Sequence, residues 1–567
     1  MTTRPAVLFA AIALLSGCAH RGETVLLDIA PEVSGGTVIG LRYDMTFTGD
    51  ADGETILALP DAWGGETELF RSLGAFQASG ADIKDGDSPA QLRLAHKPGA
   101  RITFSWQIPS AAGGPPDNKQ GGGNDYRPLF APTHFFVIGS TAIGQPEHVA
   151  GNTPAEVDLT AFNQAQIPFV SDLEHGGLTL DSLSQSVLFG GEIRVIEAGN
   201  ASRMALTGTL DNISDEDWRA AFVKVAGDQR DYWQTGHDAF LVTLMTVDKG
   251  PDAYSIGGTG LGDAFSLFSS SNMRLETALP IVAHEMMHSW IPGRIGQLQT
   301  ENEAADYWLS EGFTNWTTWR TLVRGGHWTP QDFAAAFNKS LGAYDTSLVR
   351  NASAEDAGAG FWVSQDFQQL PYDKGMLVAA WLDHEIRMRT NGARDLDDTL
   401  LAMQSAAAAA PDALATELLL AELQAGAGWD ARAEIEALTL TGNTVDLPAG
   451  LYAPCGIVSA VDTLVWERGF DFEATAAAGW VIQGVETGSR AYEAGLRNGM
   501  MLNAWSETSE DFVTPTEKTA MVTAEGGQIS LTWLPAARET RPVRQFALAT
   551  DLPPEASDAC RKRLSGL

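Results

Sequence analysis

The sequence predicts a multidomain α+β protein, and three observations carry that prediction. Its 567 residues exceed what one hydrophobic core supports, so three to four domains are expected. The texture changes twice along the chain: short alternating segments run to about residue 165, helical periods dominate from 166 to 445, and short segments return from 446. The composition, 44% hydrophobic with 16 Trp, is too apolar and aromatic for a disordered acidic chain. Lys and Arg total 37 against 72 Asp and Glu, a formal charge of −35. Such a surface does not track phosphates by releasing counterions, which argues against a nucleic-acid partner.

Residues 1–17 read as a leader. An apolar run from Ala6 to Leu15 is too short to span a bilayer, which needs about 20 residues, but suits a secretory h-region. The following Leu15-Ser16-Gly17-Cys18 resembles a bacterial lipoprotein signal, which implies acylation of Cys18 and a body held at a membrane by its lipid. Ala19 follows the Cys, so the implied location is the cell envelope, at the outer membrane facing the periplasm.

Residues 18–165 read as a β-sandwich-like domain. Gly40–Phe47 and Arg101–Trp106 alternate apolar and polar positions between Gly, Pro and Asp clusters, and Ala111–Pro128 reads as an exposed loop. His96, His134 and His148 have no ligand spacing.

Residues 166–445 combine apolar strands, as at Phe240–Val247 and Asp263–Ser270, with helices, including one after Pro411 that places Pro in its first turn. They also hold the motif with chemistry in it, His284-Glu285-Met286-Met287-His288. Residues four apart on an α-helix lie about 40° apart after a full turn, so both imidazoles can close on one metal ion. A zinc held there would lower the pKa of a water beside it to about 7, and Glu285 would serve as general base and then acid. A third ligand is available in Glu311, at the flank of an apolar stripe through Trp308, Leu309, Gly312 and Trp316. Two His and one Glu, with a fourth position open, make a catalytic set for one Zn2+.

These residues resemble the gluzincin metallopeptidases, and Trp290 with Trp308–Gly312 resembles their aminopeptidase branch. The resemblance implies a thermolysin-like, mostly helical catalytic domain with a small mixed sheet, acting on peptide substrates. Pro371-Tyr372-Asp373-Lys374-Gly375 is similar to the stretch that supplies a catalytic Tyr in that branch, implying that Tyr372 assists the oxyanion. Within the branch, His288–Arg294 and Glu311–Thr314 resemble the glycyl aminopeptidase family, which carries a PDZ domain after its catalytic domain. Residues 446–567 fit that order: Gly484–Met500 looks like a PDZ strand, helix and turn, and Arg468–Phe472 like a carboxylate-binding loop for peptide tails beside an edge strand.

The resemblance also implies a substrate strand, read here over Gly257–Phe265 with Gly257, Gly258, Gly260, Gly262 and Asp263 as its contact residues. Gly262 aligns where the branch has a Glu for the substrate's α-ammonium, and Asp263 would point to the opposite face of a strand. A zinc endopeptidase of the same fold therefore stands beside the aminopeptidase, and a non-catalytic envelope scaffold beside both. The same glycines do not make a dinucleotide fingerprint, because Asp263 stands where its last Gly belongs. Cys455 and Cys560 either pair in an oxidising compartment, a crosslink worth about 4 kcal/mol in the chain-entropy model, or stay free.

Overall fold

The structure, a computed structural model, describes residues 24–64, 66–109, 126–199, 202–234, 239–247, 255–299, 302–361, 364–505 and 515–566. The leader with Cys18, and most of the loop expected at Ala111–Pro128, lie outside the described residues. Among the described residues, those up to Gly191, apart from Gly64, Glu66 and Tyr126, form one compact unit; these three and the residues from Glu192 onward form a second.

The first unit is built from three sheets. Its five-stranded sheet runs Ala155–Asp158, Val25–Ser34, Thr37–Thr48, Arg101–Pro109, Gly74–Ser79. Strict alternation drives it: Ile102, Phe104, Trp106 and Ile108 are buried while their neighbours face outward. Trp106 stacks on its cross-strand partner Tyr43 at 5.0 Å, and its indole donates to the Ala142 carbonyl at 2.9 Å. The unit runs past the domain boundary expected at 165, because Val187–Gly191 pairs antiparallel with His134–Ile138. His96 and His148 hydrogen-bond to Thr55 and to the Thr48 carbonyl, in structural roles.

The second unit opens with a five-stranded mixed sheet. Its strands are β1 (Arg194–Glu197), β2 (Arg203–Leu206), β3 (Leu241–Thr246), β4 (Ile256–Gly260) and β5 (Ala264–Ser269), in the order β1-β2-β3-β5-β4. The parallel strands β2 and β3 are joined through helix α1 (Asp215–Trp233), started by a capping box between Ser214 and Asp217. β3 and β5 are parallel neighbours and nearly continuous apolar runs, as expected of strands covered on both faces. Helices α2 (Leu275–Met287), α3 (Tyr307–Arg324) and α4 (Gln365–Arg389) follow. The later helix expected to open at Pro411 begins at Ala415, with Pro411 in the turn before it.

The end of the chain departs from the expected separate domain at 446–567. Leu447, Tyr452, Val458, Phe546 and Leu564 are buried in the same core as Trp290 and Trp316. Strands Gly456–Trp466 and Ala536–Leu548 pair as a long antiparallel ribbon rooted in that core. Between them, Phe470, Ile482, Leu502, Val522 and Trp533 make a small core of their own. Arg468–Phe472, expected as a carboxylate-binding loop, leads into a short helix, Phe472–Ala477: Asp471 accepts from the Ala474 amide at 2.9 Å, and the alanines favour the helix.

The helix Pro554–Ser565 is tied back to α3 and α4. Cys455 and Cys560 form a disulfide with their Cα atoms 4.7 Å apart. Fully buried Arg320 of α3 donates to the Arg563 carbonyl at 2.8 Å and to Asp397 at 2.5 Å, while Arg563 pairs with Asp383 of α4. Among the described residues no helix is long and apolar enough to cross a membrane.

Candidate active site

Helix α2 delivers His284 and His288 one turn apart, with their rings 4.8 Å from one another and nearly perpendicular. Helix α3 brings Glu311 against both: its Oε2 lies 3.2 Å from His284 Nε2 and 3.3 Å from His288 Nε2, and the two Nε2 atoms are 3.2 Å apart. The three ligand atoms lie within 4.8 Å of one another.

What the rings do on their far sides decides whether the set fits a cation. His284 Nδ1 is 2.9 Å from Asn315 Oδ1, and His288 Nδ1 is 2.8 Å from the Ile291 carbonyl. Both partners are oxygens that accept, so each Nδ1 donates away from the site, which leaves each Nε2 facing the shared point, where it can ligate a cation once it carries no proton. Two such nitrogens and one carboxylate oxygen are the donor set of a catalytic zinc. Asn315 was not singled out from sequence, though it stands four residues after Glu311 on the same helix, which is the spacing that shares a face.

The three groups also act on one another's charge. Burial would raise the Glu311 carboxyl, yet His288 and His284 hold it well below the usual carboxylate range. Burial would lower the His288 imidazole, but Glu311 raises it to about 9. Glu285, between the two His in sequence, is pushed up chiefly by burial. Tyr372 of α4 stacks on His284 with ring centroids 5.9 Å apart, and burial together with the Glu311 and Glu285 carboxylates holds its phenol far above its ordinary value. It therefore stays protonated, a donor facing the site.

The glycine segment divides in a way the sequence reading missed. β4 ends at Gly260 and pairs antiparallel with β5, so Gly257, Gly258 and Gly260 lie on an edge strand while Gly262 and Asp263 sit in the turn between strands. The single strand expected over Gly257–Phe265 is a hairpin. The residue beside Glu285 is Gly260, not Gly262: a Cβ on Gly260 would stand 2.6 Å from Glu285 Oε2 and 3.8 Å from His288 Cδ2. Tyr126, another residue absent from the sequence reading, donates its hydroxyl to the Gly258 carbonyl at 3.1 Å and packs on Phe268.

The fold thus sets a helix bearing two His and a Glu against a carboxylate from the next helix, in an arrangement that could hold a metal ion. Residues 264–401 match the Peptidase family M1 domain. No curated protein matches the sequence. Among solved structures, an aminopeptidase N family protein from Idiomarina loihiensis shares the fold at a TM-score of 0.65 and 15% identity, covering 95% of this chain and 100% of that one. An M1 zinc metallopeptidase from Deinococcus radiodurans matches at a TM-score of 0.48 and 15% identity, over 76% of this chain and 96% of its own. Yeast LTA4 hydrolase in complex with Bestatin matches at 0.47 and 14%, over 76% of this chain and 70% of its own.

Proposed function

We propose that the chain is a zinc-dependent peptide hydrolase of the bacterial envelope, an aminopeptidase of the glycyl aminopeptidase type anchored by a lipid on Cys18. The observation that carries the reading is the convergence of His284, His288 and Glu311 on one point with Glu285 and Tyr372 beside it. A zinc ion held there supplies Lewis acidity to the reacting carbonyl.

The protein's own groups divide the remaining work. Glu285 takes a proton from the attacking water and returns it to the leaving amine, and its raised pKa suits a carboxylate that must carry a proton mid-reaction. The Tyr372 hydroxyl donates to the oxyanion as charge develops. The β4 edge offers main-chain groups to an extended peptide, and the absent side chain at Gly260 lets that strand run close to Glu285. Glu285→Gln is expected to keep zinc and to lose at least about 10²-fold in peptide hydrolysis; unchanged hydrolysis overturns the proposal.

One observation favours an endopeptidase of the same fold. The strand position beside Glu285 is Gly260 and offers no carboxylate to an α-ammonium, and the groups that act on Glu285 are His284, His288 and Glu311. Matched peptides with free and acetylated N-termini separate the readings: a tenfold or greater preference for the free amine supports the aminopeptidase, and equal cleavage supports the endopeptidase.

A further inference from the structure

Strand β4 is the outer strand of its sheet, so among the described residues one side of its backbone faces no partner strand. The register decides which groups point that way. The Ser270 amide donates to the Ser255 carbonyl and the Leu261 amide to the Ala264 carbonyl, both at 2.9 Å. Ser255, Gly257, Thr259 and Leu261 therefore aim their main-chain groups at β5, and Ile256, Gly258 and Gly260 aim theirs at the open edge. Gly260 lies beside Glu285. Gly258 is the next outward residue, about 7 Å further along the strand.

A peptide lying along this edge meets Gly260 and then Gly258, and the second position is already taken. The Tyr126 hydroxyl donates to the Gly258 carbonyl at 3.1 Å, where the N–H of an added strand would stand. Two features hold the ring there. Its centroid is 6.0 Å from that of buried Phe268. On another side, Tyr126 Cδ2 stands 2.5 Å from where a Cβ on Gly64 would be, so the absent side chain at Gly64 leaves the ring its place. The Gly260 carbonyl, by contrast, meets the Thr259 hydroxyl at 3.3 Å, a long contact that an arriving N–H can replace.

We propose that Tyr126 is a specificity-determining residue that closes the substrate edge one outward position away from Glu285. Peptide residues opposite Gly260 can pair with the strand, and those that run on to Gly258 meet the tyrosine instead of a free carbonyl. A dipeptide stops short of Tyr126, because the two outward positions are two residues apart. Longer peptides reach it and gain nothing from their added length. This role for Tyr126 rests on the reading of the chain as a peptide hydrolase, and it concerns which peptides the site takes rather than the chemistry at Glu285.

Isothermal titration with di-alanine and penta-alanine tests the role, using the zinc-loaded full chain carrying Glu285→Gln so that the peptides survive, with and without Tyr126→Ala. Tyr126→Ala is expected to tighten penta-alanine about fivefold, the equivalent of about 1 kcal/mol for one regained hydrogen bond, while di-alanine stays within about twofold. A chain merely loosened by loss of the ring would weaken both peptides. Should Tyr126→Ala melt below the assay temperature, Tyr126→Phe, whose ring is no longer tethered to Gly258, is read by the same criterion. An equal shift at both lengths, no shift, or no binding of either peptide by either chain overturns the role. Cleavage of the same peptides with Glu285 intact judges the hydrolase reading separately. A binding shift without cleavage removes the hydrolase and keeps Tyr126 as the edge cap; cleavage with a length profile that Tyr126→Ala leaves unmoved keeps the hydrolase and removes the cap.

Discussion

Gly312 of α3 and Gly375 of α4 meet backbone to backbone: a Cβ on Gly312 would stand 2.2 Å from the Gly375 carbonyl carbon, and one on Gly375 would stand 2.0 Å from the Trp308 carbonyl oxygen. Glu311 adjoins the first glycine and Tyr372 lies three residues before the second, so this crossing sets the separation of the third ligand from the phenol. Neither neighbour at the crossing can give way, because both are main chain. Gly312→Ala is expected to cost at least about 1–3 kcal/mol, the scale of overpacking a tight core. Its residual folded enzyme should show weakened zinc binding and reduced turnover. Thermal melts, zinc content and hydrolysis measured on one preparation check this; wild-type values in all three would show that the helices can part freely.

Asn315 acts on the candidate metal ligands through His284. Its Oδ1 accepts from Nδ1 at 2.9 Å, which fixes the tautomer and aims Nε2 at Glu311. Asn315→Ala frees the ring to rotate and to place its proton on either nitrogen, so zinc affinity should fall by about 10–100-fold, the usual effect of losing a ligand's hydrogen-bonded support. Competition with a chromogenic chelator measures the affinity. Hydrolysis should recover at saturating zinc, which separates a positioning role from a catalytic one.

The parts of this site that could be read from the sequence are those with local spacing. His284, Glu285 and His288 share one helix, and helical geometry brings the two imidazoles together wherever the helix packs; Glu311 followed from an apolar stripe with a carboxylate at its flank. Asn315 and Ile291 were missed because their contacts with the two rings depend on how the next helix and the following loop pack. The run Gly257-Gly258-Thr259-Gly260-Leu261-Gly262 has no side-chain alternation to set a register, so the choice between Gly260 and Gly262 waited on the turn that closes β4 onto β5. At the end of the chain the strands were visible, but composition does not tell which core a strand is rooted in. That is why Leu447, Val458 and Phe546 belong with the catalytic helices rather than with a separate domain.

Gly260 tests how closely the edge strand must approach the general base. A methyl group there would sit 2.6 Å from Glu285 Oε2, so the carboxylate has to move aside. Gly260→Ala is expected to lower kcat by about 10- to 100-fold, the cost of displacing a catalytic group by roughly an ångström. The melting temperature should hold, because β4 is a half-exposed edge strand. A variant with wild-type kcat would show that Glu285 has room to spare.

Asp373 makes stability depend on pH in a direction opposite to that of a salt-bridged acid. Burial pushes its carboxyl up to about 7, against hydrogen bonds with Ser340 and Gln369 that lower it, whereas in the unfolded chain it titrates near 4. Between those values the folded chain holds a proton that the unfolded chain has released. The group's contribution is therefore complete below about pH 4 and is lost as pH rises through 7. The slope is about 1.4 kcal/mol per pH unit, on the order of 4 kcal/mol over the whole window. Asp373→Asn cannot ionise and lacks this slope, so its stability relative to the wild type should climb steadily from pH 5 to 7 and level off above. Urea unfolding of both chains at pH 5, 6, 7 and 8 makes the comparison, and parallel curves across that range would place the Asp373 proton elsewhere.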